Sequence, residues 1–155
     1  MPVIEDETIP DGDSVSRNVY FPLMYGDASE LVWKEVFPFP GSQCESVVWR
    51  KYAPEDADVH AIGVSHQETR REKRPEVTYT GFFSAIVKDI RNIKSAAGHG
   101  FKVDHAPECN ADHHAHICYL PANGAEPSTL KRTEKSDLKA WLKIAFRCFT
   151  GFSAR

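Results

Sequence analysis

The chain has 155 residues, enough to close the core of one domain. With 41% apolar and 26% charged residues it has the composition of a globular protein, which excludes a disordered or collagen-like polymer. No apolar run approaches the roughly 20 residues that a membrane-spanning helix needs, so no membrane partner is expected. The formal net charge of −3 excludes little, but its distribution is uneven. Residues 1–30 carry seven acids against Arg17, and residues 131–155 carry seven bases against Glu134 and Asp137. Such a basic end can bind polyanions. It can equally be a solvated face, or be attracted to the acidic front.

The acidic start, Met1 to Glu7, lacks the basic-then-apolar pattern of a signal peptide, and the expected location is cytoplasmic. On that ground Cys44, Cys109, Cys118 and Cys148 read as thiols, with Cys148 a small core residue. Residues 1–13, acidic and poor in large apolar groups, with Val3 and Ile4 among the few, read as a flexible acidic N-terminus, loose or ordered only by docking. Residues 14–155 read as the single folded domain.

Residues 15–21 are β-rich and stop at Pro22, giving a first strand. Leu31 to Trp33 with Val36 and Phe37 form a second candidate, before Pro38, Pro40 and Gly41 force a turn. Residues 46–52 form a third strand and residues 59–64 a fourth, weaker one. Residues 65–76 are polar throughout apart from Pro75, which suggests an exposed loop or frayed helix. Thr80 is a plausible helix cap, and Phe82, Phe83, Ile86, Val87, Ile90 and Ile93 recur at three- and four-residue steps, predicting a helix that stops at Gly98 and Gly100. Residues 101–105 and 115–120 read as a strand pair. A final helix is expected from Ser136 to Phe149, with Leu138, Trp141, Leu142, Ala145, Phe146 and Phe149 on one stripe. Trp33, Trp49 and Trp141 are most simply core. The order predicts an α+β fold: one mainly antiparallel sheet with two helices packed on one face.

Four of the seven histidines and two of the four cysteines fall between Asp104 and Cys118. Histidine and cysteine ligate zinc and related metals, and histidine is the commonest acid–base group near neutral pH. Strand parity puts His114, His116 and Cys118 on one face and Ala115, Ile117 and Tyr119 on the core face. Lys102 and Asp104 share the polar face, so antiparallel pairing would gather Asp104, His114 and His116. Strict parity puts His105 on the apolar side with Val103, unless the strand ends or bulges before Pro107. The spacing matches no strong zinc pattern, as there is neither Cys-x-x-Cys nor His-Glu-x-x-His. A metal site, metal-free acid–base histidines and a structural surface all remain open.

The other candidates are weaker. His60 and His66 read as bland, and His99, between two glycines, could line a pocket. Arg17 could grip an anion or serve as a salt-bridge partner. Arg70, Arg71 and Arg74 form a local positive patch. Cys109 could act as a nucleophile or metal ligand, or have no role.

The segments Asp13-Ser14-Val15-Ser16-Arg17, Ser46-Val47-Val48-Trp49, His105-x-Pro107 and His114-Ala115-x-Ile117 resemble the pattern of a family of small uncharacterised bacterial proteins. The resemblance implies no activity or cofactor. It implies a shared role for His105 and His114 and sets His113, His116, Cys109 and Cys118 outside the pattern.

The expectation is a small histidine- or metal-dependent hydrolase, with a phosphodiesterase or nuclease as its narrower form. His105 and His114 would be catalytic. Asp104, His114, His116 and Cys118 would hold a divalent metal such as zinc. Arg17, Arg70, Arg71 and Arg74 would bind an anionic substrate or nucleic acid. The alternative is a binding or regulatory module contacting a protein or nucleic-acid partner, and a homodimer is compatible with either.

Overall fold

The computed structural model describes residues 6–26, 30–39 and 43–153. Val3, Ile4, Pro40, Gly41 and Arg155 lie outside the described residues. Among those described, ten main elements follow one another: β1 (Ser14–Phe21), α1 (Trp33–Val36), β2 (Cys44–Trp49), α2 (Asp56–Arg71), β3 (Thr78–Ile86), α3 (Val87–Arg91), β4 (Gly100–His105), β5 (His114–Leu120), α4 (Arg132–Ala145) and β6 (Cys148–Gly151). The strands form one sheet in the order β4-β5-β2-β1-β3-β6, and every pairing is antiparallel. The expected α+β class with a single antiparallel sheet is what forms.

Strand parity sorts the side chains into two layers. Val15, Val19, Val47, Phe83, Ala85, Phe101, Val103, Ala115, Ile117 and Tyr119 join the main core, and Val87 and Ile90 of α3 and Leu138 and Leu142 of α4 pack into it. These two helices share one face of the sheet. A smaller cluster, Val48, Ala53, Val59 and Phe82, lies on the opposite face under α2.

Three expected elements take another form. Residues 59–64 belong to α2, not to a strand. Val59, Gly63 and Gln67 are its buried residues, a four-residue spacing that puts them on one helical face. The Glu55 N–H donates to the Asp58 carboxylate at 3.0 Å, which starts the helix. The helix runs on through the polar stretch to Arg71. Gly63 is required there: a Cβ would come within 2.4 Å of the Tyr79 ring.

The helix expected from Thr80 is instead strand β3 followed by the five-residue α3. Phe82 and Phe83 enter different cores on opposite faces, which adjacent residues achieve on a strand. The strand candidate at Leu31–Phe37 is the short α1, preceded by a single bridge between Tyr25 and Leu31. The last helix begins at Arg132 and ends at Ala145, where Glu134 caps the Lys131 N–H at 2.8 Å; Phe149 lies in β6. Trp141 is 55% exposed and Cys148 is exposed, so neither is core.

Residues 6–13 are ordered by docking. Ile9 is buried, Asp13 accepts from Trp49 Nε1 at 2.9 Å, and Asp11 pairs with Arg91 at 2.8 Å. Glu7 contacts Lys51 and Tyr52. These acids meet bases in the middle of the chain, not those at its end. No helix among the described residues is long and apolar enough to cross a membrane.

Candidate functional site

The face of the sheet carrying α2 is only partly covered. Beyond the last turns of that helix, a pocket of about 520 Å³ opens over β1, β2 and the start of β5. Its chemistry comes from His66 and Arg70 on α2, Ser46 on β2, Asn18 on β1, and Glu108, His113 and His114 at the β4–β5 connection. His66 and Arg70 are four residues apart, so one helical face presents both.

His114 is held from both ends. Its Nδ1 lies 2.8 Å from the Ala106 carbonyl oxygen and 3.3 Å from the Glu108 carboxylate. Both partners only accept, so a ring with one proton carries it on Nδ1. Nε2 is then left to accept the Ser46 hydroxyl proton across 3.0 Å. His116 packs edge-on against this ring, with centroids 4.7 Å apart.

Burial pushes the His66 and His113 rings below their usual pKa, with help from nearby cations: Arg70 then His114 for His66, and His66 then His114 for His113. Glu108 opposes the shift in both, joined by Asp112 at His113. Burial also lowers His116, followed by His114, against Glu108 and Asp104. The neutral form is thus favoured at His66, His113 and His116.

Arg70 stacks over the Tyr20 ring at 4.1 Å, and its guanidinium has no ion pair among the described residues. Asn18 is 8% exposed, and its Oδ1 has no hydrogen-bond partner among the described residues.

The structure divides the expected site residues. His105 does not join His114. It follows strict parity into the apolar side, where it is 3% exposed, edge-on to Trp49 and stacked on Tyr52. Its Nδ1 accepts from the Glu7 N–H at 3.0 Å, so Nε2 donates to the Asp112 carbonyl at 2.7 Å. No bulge rescues it, because the pairing with Ala115 is regular to the strand end.

The four expected metal ligands do not converge either. Asp104 and His116 are register partners on the open face. Cys118, however, is bonded to Cys44, its direct partner on β2, so two of the four cysteines are not thiols. That pairing needed the β2–β5 register, which local sequence does not reveal. Among the described residues, no group of three or more His, Cys, Asp or Glu side chains is arranged to hold a metal ion.

Of the four arginines, only Arg70 is free to meet an anion in the pocket. Arg17 borders the same pocket but is spent: it pairs with Glu45 at 3.1 Å and donates to the Val36 and Ser46 carbonyls. Arg71 turns to Val77, Thr78 and Glu68, and Arg74 to Glu76. His60 bonds the Tyr79 hydroxyl at 2.8 Å. His99 ties the Ala122 N–H to Glu134 and lines no part of this pocket.

Sequence reasoning missed Ser46, Glu108, Asn18 and His66 as site residues and left His113 without a role. A helical reading of residues 56–71 would have put His66 beside Arg70. Ser46 and Asn18 carry no signal until strand register is known. No family model, curated protein or solved structure matches the chain.

Proposed function

We propose that the protein is a metal-free, histidine-dependent hydrolase of small phosphodiesters, acting in the pocket between α2 and β5. The observation that carries this reading is the convergence there of His66, His113 and His114 with the unpaired Arg70. Arg70 offers a planar fork for two phosphate oxygens. His114 is the general base, because Ala106 and Glu108 hold its Nδ1 proton and leave Nε2 facing the pocket.

The test is turnover of bis(4-nitrophenyl) phosphate without added metal. His114→Ala is expected to lose at least about a hundredfold in kcat/KM, the usual scale for a lost general base, with the melting temperature nearly unchanged. His105→Ala is expected to lose stability instead, by about 3 kcal/mol, from its cavity and two orphaned backbone groups. Equal activity in the parent and the His114 variant would reject the reading.

A binding module is the second reading. Trp141 and Ile144, 55% and 53% exposed on α4 near Lys94 and Arg147, favour it. Self-association that Trp141→Glu abolishes would support that reading. The expected cytoplasmic location stands against the Cys44–Cys118 bond, since disulfides persist chiefly in oxidising compartments.

A further inference from the structure

We infer that Ser46 is a covalent nucleophile, making the protein a serine-dependent phosphodiesterase that passes through a phosphoryl-serine; this rests on the hydrolase reading above. Ser46 sits on β2 with its side chain exposed at the pocket. Its Oγ lies 3.0 Å from His114 Nε2, and His114 Nδ1 is held at 2.8 Å by Ala106 O and at 3.3 Å by Glu108 Oε1. Nucleophile, base and orienting acceptors therefore form a continuous chain from two segments, Ser46 on β2 and the β4–β5 connection with His114, 68 residues apart, which is the geometry that activates a hydroxyl. Local sequence cannot produce this chain, because the register pairs Ser46 with His116 and Val48 with His114, leaving Ser46 and His114 as diagonal neighbours on one face.

The surroundings suit a phosphodiester. Arg70 supplies a cation for the non-bridging oxygens. Arg17, although adjacent, is committed to Glu45 and to the Ser46 carbonyl, so it braces the strand beneath the nucleophile.

In the first step Ser46 Oγ forms a bond to phosphorus and the bond from phosphorus to one alcohol oxygen breaks. The hydroxyl proton moves to His114 Nε2 and from there to the departing alcohol. In the second step water forms the new phosphorus–oxygen bond and gives a proton to His114 Nε2. The bond to Ser46 Oγ breaks, and Oγ takes that proton back. The sum is one diester and one water giving one monoester and one alcohol, with no redox partner.

The experiment treats the full chain with a fluorophosphonate probe and maps the adduct by peptide mass spectrometry, alongside turnover of bis(4-nitrophenyl) phosphate. The expected result is one adduct per chain on Ser46, absent in Ser46→Ala and slowed at least about a hundredfold in His114→Gln. Turnover should fall with it, while both variants melt close to the parent. Ser46→Ala removes one exposed hydroxyl, so folding is not at stake. Turnover that needs His114 but survives Ser46→Ala would overturn the nucleophile and leave the hydrolase, with water attacking directly. An adduct on Ser46 without diester turnover would keep the nucleophile and overturn the phosphodiester substrate. An adduct elsewhere, or none together with no turnover, would overturn the nucleophile.

Discussion

His105 and His114 are nine residues apart, and each is held by the backbone around the β4–β5 connection, yet they have opposite roles because they face opposite sides of one sheet. His105 spends both ring nitrogens on the backbone of residues 7 and 112, fastening the N-terminal segment to the core. His114 spends one nitrogen on the backbone and keeps the other at the pocket. The rings of His66, His113 and His116 are disfavoured as cations in the folded state. Their folded pKa values lie below the unfolded value of about 6.5, so between the two the unfolded chain binds more protons. The stability they contribute is whole above about pH 6.5 and is lost as pH falls through the folded values. The melting temperature should therefore drop on going from about pH 7 to about pH 5, and His113→Gln should drop less. An equal drop in the variant would show that His113 does not titrate in this way. At this scale the sequence was partly legible. Parity placed Ala115, Ile117 and Tyr119 in the core and His114 and His116 outside it, as found. The same parity had placed His105 inside, and only the appeal to a bulge moved it out.

The strands β1, β2, β4 and β5 were readable from β-rich runs bounded by turn residues, and the body of α4 from its apolar stripe. Two of the three misread stretches have a physical cause of their own. In residues 82–93 a sheet buried on both faces makes a near-continuous apolar run that imitates a helical stripe. In residues 59–71 the helix lies over β1 and β3 with few apolar contacts, so its face is marked by Gly63 and Gln67 more than by large side chains. Gln67 uses its Oε1 to accept the Tyr79 N–H at 2.7 Å, and Tyr20 donates its hydroxyl to the Gly63 carbonyl at 3.2 Å. This contact sets where α2 carries His66 and Arg70. Gly63→Ala, which in an open helix would stabilise by about 1 kcal/mol, should here destabilise by about 2 kcal/mol, because the added methyl meets the Tyr79 ring. Chemical denaturation checks the sign, and a stabilised variant would show that the helix stands farther from β3.

For the whole molecule, the sheet order puts β2 between β1 and β5, so sequence-distant Asn18, Ser46 and His114 become neighbours. Nothing in the local pattern announces that order, and this is why the site was located to a segment but not assembled from it. The Cys44–Cys118 bond locks β2 to β5 two residues from Ser46, across a sequence separation of 74. Closing a loop of that length constrains the unfolded chain by about 4 kcal/mol in the entropic account. Reduction, or Cys44→Ser with Cys118→Ser, should therefore lower stability on that scale and loosen the pocket floor; unchanged denaturation under reducing conditions would contradict the bond's role. The central claim is that folding brings His66, His113 and His114 around one anion site at Arg70 while His105 stays in the core. Imidazole NMR spectra of the native protein titrated with dimethyl phosphate, whose ester bonds are inert over the experiment, test this directly. Resonances of His66, His113 and His114 should shift together with one binding curve while those of His105 and His60 stay still. Shifts confined to His105, or absent from all three pocket histidines, would contradict it.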